Sequence, residues 1–198
     1  MEIILATHNL DKCKELQQAF INTKIKIYTL QDFPEIGEII EDGSTLEENA
    51  FIKSRTVYNL TKIPTISDDT GLEVDILDGA PGVYSARYAG EDCSYSDNVN
   101  KLLLDMQSIE EKQRTATFKT VVTYVSNDLE LVAEGSVKGI ITRKPYGNRG
   151  FGYDPIFYVL SQGKTFAEMN VNEKQKCSHR GNAIANLKRL FRKIYGRI

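Results

Sequence analysis

Only three cysteines, Cys13, Cys93 and Cys177, occur in 198 residues, and they form neither a C-x-x-C pair nor a zinc-ligand spacing. That scarcity excludes a disulfide-stapled scaffold and points to reduced thiols in the cytoplasm. No apolar run approaches the ~20 residues of a bilayer span, so no membrane partner is expected. The opening Met1-Glu2-Ile3-Ile4-Leu5-Ala6 is too short and too acidic for a secretory leader. An excess of one charge is missing as well: 25 Lys and Arg stand against 27 Asp and Glu, for a net charge of -2. A broad nucleic-acid footprint shows as a basic excess, so no nucleic-acid partner is expected, although a compact basic pocket for one polyphosphate is compatible with this balance. Repeats, low-complexity tracts and linkers rich in Gly, Ser or Pro are absent, which favours one domain over 1–198, or one domain with two lobes.

What is present alternates between strand and helix. Residues 3–7 (IILAT) form an apolar run suited to a buried strand. Residues 10–20 place Cys13, Leu16, Ala19 and Phe20 on one helical face, and residues 25–30 alternate as a second strand. Ser44 and Glu47 read as a capping box that opens a helix to about Leu60. Residues 63–67 (IPTIS) give a strand ended by Asp68-Asp69-Thr70-Gly71, and a helix is expected over 95–106. The clearest strand, 115–125 with one wetter face, pairs across Asn127-Asp128 with 129–138. Residues 143–153 read as a Gly-rich loop, 156–160 as a strand, and 179–194 as a last helix. This order favours an α/β protein with a mixed sheet over a fully parallel one.

Five segments carry chemistry. Thr7-His8-Asn9-Leu10-Asp11-Lys12 leads from a strand into a helix, where backbone N–H groups, side-chain donors and one ammonium suit an anion. Asn9 serves equally as a plain helix cap, and the G-x-x-x-x-G-K spacing of a Walker loop is absent. Asn49 and Lys53 share a helix face at i, i+4, with Glu41 just before that helix and free to ligate a cation. Asp68 and Asp69 put two carboxylates together after an apolar strand, which is costly unless a cation neutralises them. Mg²⁺ suits that pair, since it takes one or two carboxylates plus phosphate oxygens. In an extended strand the two point apart, one for metal and one for water; D-D-T-G is also good turn chemistry. Gly147 to Pro155 offers glycines for close backbone approach and the flat rings of Phe151 and Tyr153, or else an irregular hairpin with an aromatic plug. Lys174 with Ser178-His179-Arg180-Gly181 supplies phosphate and carbonyl donors, or an ordinary surface.

In this order and spacing, S-D-D-T-G-L-E-V-D, G-A-P-G-V-Y-S-A-R-Y, G-F-G-Y-D-P-I-F and S-H-R-G resemble the inosine triphosphate pyrophosphatase family, the Ham1-like non-standard purine NTP pyrophosphatases, from Ala6 to Gly181. The resemblance implies an elongated α/β fold with a mixed central β-sheet flanked by helices, two lobes with an active-site cleft between them, and a homodimer. It implies hydrolysis of ITP, dITP and XTP to monophosphate and pyrophosphate with Mg²⁺. Carried over, Thr7, His8, Asn9, Leu10, Asp11 and Lys12 form the phosphate loop, while Lys53 contacts phosphate. Glu41 and Asp69 serve the metal. Asp69 accepts the proton of water, and Asp68 supports it. Thr70 holds substrate; Phe151, Gly152, Tyr153 and Asp154 line the base pocket; Lys174, His179 and Arg180 reach substrate, the last two favouring a 6-keto purine. The chain departs from many relatives with His8 for Gly and Thr70 for Ser, and from some with Ile40 for an acid.

Two other functions compete. A haloacid-dehalogenase-type phosphatase also uses two aspartates after a strand, but needs D-x-D spacing, whereas Asp68 and Asp69 are adjacent. A nucleotide sensor without turnover would have no need of the candidate catalytic carboxylates, all of which are present.

Overall fold

The first strand of the chain, β1 (Glu2–Leu5), is buried from Ile3 onward and runs parallel to both its neighbours, β2 (Lys26–Thr29) and β3 (Thr65–Val74). In the computed structural model, which describes residues 1–196, eight strands form one mixed sheet in the order β2-β1-β3-β5-β6-β7-β8, with β4 (Pro81–Gly82) paired antiparallel to β3. The others are β5 (Thr115–Val125), β6 (Glu130–Ile141), β7 (Phe157–Val159) and β8 (Lys164–Thr165). The helices are α1 (Leu10–Phe20), α2 (Leu46–Thr61), α3 (Tyr95–Asp105), α4 (Val171–Cys177) and α5 (His179–Tyr195). The fold is therefore α/β with a mixed central sheet, as the alternation of patterns implies.

The described residues form two compact units, the first of residues 1–69, 120–135 and 180–196, the second of 70–119 and 136–179. In the first unit, side chains of β1 alternate between two apolar clusters, as the period-2 geometry of a strand requires. Ile3 and Leu5 join Leu16, Phe20, Ile66, Leu187 and Phe191, whereas Ile4 and Ala6 join Leu30, Ile36 and Val57. The second unit has its own core of Leu72, Val74, Leu102, Met106, Phe118, Phe157 and Phe166. Arg114 is buried there, donating to the carbonyls of Met106, Ile141 and Thr142 and so capping the end of α3.

Three local expectations change, and one helix, α4, is unanticipated. β3 does not end at Asp68 but continues through Asp68-Asp69-Thr70-Gly71 to Val74, so the D-D-T-G sequence is strand rather than turn. Buried partners on both flanks override the turn propensity of Asp and Gly. The cap of α2 is Thr45, whose hydroxyl accepts from Glu48 N, while the Glu48 carboxylate accepts from the N–H of Ser44 and Thr45. The capping box thus sits one residue beyond Ser44 and Glu47. β5 shows a wetter face only over Thr115–Lys119; from Thr120 to Val125 every residue is buried. Helix α4 has no clear apolar period, and it is set by the Asn170 cap and Glu173.

The register of the capping box is testable. Thr45→Ala is expected to lower unfolding free energy by ~1 kcal/mol, the usual worth of an N-cap hydroxyl. Glu47→Gln should stay within ~0.5 kcal/mol, as for a surface change. Urea denaturation of the two variants distinguishes the registers.

Candidate active site

In the first unit the strand β3 carries Asp68 and Asp69 into surroundings where both are buried. Successive side chains of a strand point to opposite sides, and the two carboxylates meet different partners. Asp68 Oδ2 accepts from Arg180 Nε and Nη2 at 3.0 and 2.9 Å, a bidentate pairing, and Lys12 Nζ lies 3.5 Å away. Arg180 also donates through Nη1 to Glu15 on α1. Asp69 lies 3.6 Å from Lys53 Nζ and 3.8 Å from Lys12 Nζ through Oδ1, and 3.5 Å from Asn49 Nδ2 through Oδ2. Lys53, 5% exposed, forms its tightest ion pair with Glu41. Four carboxylates, Glu15, Glu41, Asp68 and Asp69, thus share three cations, Lys12, Lys53 and Arg180.

The charge states follow from that packing. Burial opposes ionisation of Asp68, but Lys12, Arg180 and Lys53 outweigh it and hold the carboxyl well below the usual range. Burial likewise opposes the charge of Arg180, and Asp68 and Glu15 overcome it, raising its pKa. For Lys53 burial again opposes, while Asp69 and Glu41 raise the value. Burial and the nearby Asp68 push the Cys13 thiol up, which keeps it protonated and unreactive.

The turn before α1 has a structural duty as well as donors. Asn9 is the N-cap, and its Oδ1 accepts from the N–H of Asp11 and Lys12. The capping reading therefore holds for that oxygen, and an anion at this turn depends on other groups. Thr7 Oγ1 accepts from Asn9 N, leaving the hydroxyl its own proton to donate. Lys12 brings the full charge. Leu10 and Asp11 are the first residues of the helix. His8 Nε2 is 3.2 Å from the carbonyl of Gly37, linking this turn to the segment that carries Glu41. A cavity of about 700 Å³ opens beside it, lined by Thr7, His8, one face of α1 at Leu10, Cys13, Lys14 and Gln17, and the residues after β2.

The second unit gathers another group. Asp154 Oδ2 accepts from Phe151 N at 2.9 Å and pairs with Lys174 Nζ at 2.5 Å. Lys174, in α4, lies 4.8 Å from the centre of the Phe151 ring, a cation–π contact. Phe151 is half-buried beside Tyr95, with ring centres 5.7 Å apart. His179 is buried and stacks on Phe118 at 4.4 Å. Gly150 has φ +70, and a Cβ there would meet Asp154 Oδ2 at 2.0 Å, so this glycine makes room for the chain's own carboxylate. Gly152 also has positive φ, and Thr70 lies half-buried in β3.

Several sequence readings are thereby sharpened or corrected. The ring of Tyr153 is core, 4% exposed with its hydroxyl donating to Ser85 O, so it is the aromatic plug rather than an open platform. His179 and Arg180 are buried, not surface. Lys12, Lys53, Glu41, Asp68, Asp69 and Arg180 come together in the first unit, and Phe151, Asp154 and Lys174 in the second. Glu15 went unnoticed, because its partner Arg180 stands 165 residues away and no local pattern marks the pair.

Two carboxylates stand within reach of one ammonium, since Glu41 and Asp69 both face Lys53. Among the described residues no group of three or more His, Cys, Asp or Glu side chains forms a metal cage. A pair of oxygen donors of this kind fits Mg²⁺, which keeps water and phosphate oxygens in its remaining positions.

Comparison with known proteins gives the family and the fold. A model described as Ham1 family matches residues 3–190. A dITP/XTP pyrophosphatase of Thermoanaerobacter sp. (strain X514) is 45% identical over 188 residues, 95% of either chain. One from Escherichia coli (strain K12) is 44% identical over 186 residues, 92% of this chain and 94% of that one. Among solved structures, the Ham1 protein of Staphylococcus aureus superposes with a TM-score of 0.87 at 37% identity, covering 98% of this chain and all of its own. A HAM1 protein from Coxiella burnetii gives 0.88 at 38%, covering 98% and 99%.

The depressed pKa of Asp68 makes a stability prediction. A carboxyl whose folded value lies below its unfolded value contributes stability that is full above the unfolded value, near 3.8, and lost as pH falls through the folded one. Denaturant midpoints of the wild type should therefore drop on acidification below about pH 4. In Asp68→Asn the curve should lie lower at neutral pH and fall less steeply on the acid side.

Proposed function

Because the chain belongs to the Ham1 family, we propose that it is a nucleoside-triphosphate pyrophosphatase that converts ITP, dITP and XTP to the monophosphate and pyrophosphate and so clears non-standard purines from the nucleotide pool. The observation that carries the chemistry is the unequal exposure of the two adjacent carboxylates. Asp68 has no exposed side-chain surface and is held by Arg180 and Lys12, whereas the Asp69 side chain is 13% exposed. Asp69 is therefore the carboxylate that can meet a water molecule.

In the proposed reaction water attacks the α-phosphorus in line and pyrophosphate leaves. Asp69 takes the proton, a contribution of ~10²–10⁴ in rate. Lys12 and Lys53 turn toward the phosphate oxygens and offset the charge that develops there, the main lever in phosphoryl transfer. Asp68, locked by Arg180, holds Lys12 ready beside β3 until phosphate draws the ammonium away. Thr7 and the turn to Lys12 take the outer phosphates. Glu41 and Asp69 would hold Mg²⁺, which would supply charge neutralisation to the phosphate. Four carboxylates against three cations leave this group without surplus positive charge for a polyphosphate, which supports a need for a divalent cation.

Base selection is assigned to the second group. Phe151 stacks on the purine, Asp154 fixes the turn that presents it, Lys174 reaches substrate, and His179 and Arg180 supply donors to a 6-keto oxygen. A site built on such a donor can discriminate by ~10⁴, because a 6-amino group leaves the donor unpaired. Arg180 reaches a base oxygen only by releasing a carboxylate, and Glu15, 21% exposed, is the more easily released. The homodimer and a cytoplasmic location belong to the same reading; the absence of disulfides among the described cysteines supports the latter.

Incubation with Mg²⁺ and a panel of ITP, dITP, XTP, GTP, ATP and CTP tests the reaction. Monophosphate and pyrophosphate from ITP and XTP, with little from ATP, are expected; orthophosphate and diphosphate would overturn the reading. Asp69→Asn should lower kcat by about 10²-fold or more while nucleotide binding, read by calorimetry, changes little. Near-normal turnover in that variant removes Asp69 from the role of base.

A further inference from the structure

Asn49 shares a helix face with Lys53, and the reaction outlined above gives it no part. It sits in the first unit, 2% exposed, in the first turn of α2. Its Oδ1 accepts from Gly43 N at 2.8 Å, and its Nδ2 donates to Asp69 Oδ2 at 3.5 Å. The chemistry of the two neighbours fixes this orientation. A backbone N–H only donates and an ionised carboxylate only accepts, so the amide must turn its oxygen to Gly43 and its nitrogen to Asp69.

Gly43 stands two residues beyond Glu41, in a segment without regular secondary structure. The bridge therefore joins the two carboxylates that face Lys53, one directly and one through the chain that carries it. Gly43 fits only because it lacks a side chain: a Cβ there would meet Asn49 Oδ1 at 2.7 Å and Glu48 Cβ at 2.8 Å. Aspartate at position 49 could still accept from Gly43 but would set a like charge against Asp69. Leucine could do neither. A side chain that must both accept and donate at this length is an asparagine.

We propose that Asn49 is a positioning residue that holds Asp69 and the Glu41 segment in register, and that the close approach of glycine at position 43 to the start of α2 makes this bridge possible. The kinetic part of this inference rests on the pyrophosphatase reading. Misplacement of reacting groups by about 1 Å can cost about 10²-fold, so the bridge should show in kcat more than in KM.

The test uses Asn49→Asp, Asn49→Ala and Gly43→Ala, with activity expressed per folded molecule from calorimetric unfolding. Exchange of the Gly43 amide, followed by NMR, reads the bridge without turnover. In Asn49→Asp we expect kcat for ITP to fall about tenfold or more, KM to stay within about threefold and Gly43 exchange to remain slow. Asn49→Ala should speed that exchange about tenfold and also lower kcat. Gly43→Ala, at a half-exposed position, should fold normally and lower kcat as well. If an active wild type and the folded Asn49→Asp and Gly43→Ala variants share one kcat, the positioning role is wrong. Unchanged Gly43 exchange in Asn49→Ala overturns the bridge itself. A wild type that releases no pyrophosphate from ITP or XTP overturns the functional reading and the kinetic role with it, while the exchange result still decides the bridge.

Discussion

Two carboxyl groups on neighbouring residues of a buried strand set the terms for everything around them. Asp68 and Asp69 are tolerated because Lys12 from α1, Lys53 from α2 and Arg180 from α5 reach them. Breaking such a buried pair by removing one partner typically costs 3–5 kcal/mol, because a charge is left alone in the interior. Each helix is thus held on the sheet by a charge as well as by its apolar face. In α1 the buried residues Cys13, Leu16, Ala19 and Phe20 set the face, and Lys12 and Glu15 beside it set the chemistry.

A second polar device lies just below the charges. Ser54, Ser67 and Thr123 all donate to the carbonyl of Ala50, at 3.1, 2.5 and 3.1 Å, and all are fully buried. Ser54 follows Lys53 and Ser67 precedes Asp68, so this cluster ties α2, β3 and β5 together one residue from each charged group. It also explains why β5 is buried on both faces beyond Lys119. Thr123 turns its hydroxyl toward α2 and β3 instead of water, and a buried network of this kind specifies one arrangement.

What the sequence made legible was local or repeated. The apolar faces of α1 and β1, the long strand at 115–125 and the loop at 143–153 follow from periodicity and from glycine, and the structure has them with small shifts at the ends. Order and spacing of the polar segments marked the candidate site, because S-D-D-T-G and S-H-R-G are informative only together. What stayed hidden depended on partners distant in sequence. Nothing near Glu15 announces Arg180, and nothing near Asn49 announces that it spans from Gly43 to Asp69. The D-D-T-G stretch misleads for the same reason: its local preference is for a turn, and strands and cations from distant parts of the chain make it strand.

The pairing of cations with carboxylates before substrate arrives has a consequence for binding. A bare cluster of three cations, two of them buried, would be held apart by its own repulsion and would collapse or shift its protons. Paired with Asp68, Asp69, Glu41 and Glu15, the cations keep fixed positions, so that in the proposed reaction a polyphosphate would exchange partners with Lys12 and Lys53 instead of having to order them. In the proposed reaction Glu41 and Asp69 would hold a divalent cation, whose charge would free the Lys53 ammonium for the phosphate. Asp68 does not take part in the exchange, because Arg180 holds it by two hydrogen bonds and it has no exposed surface. The division of labour between adjacent aspartates thus follows from the alternation of a strand: one side chain is turned toward an arginine that fixes it, the other toward lysines and an amide that can let it work.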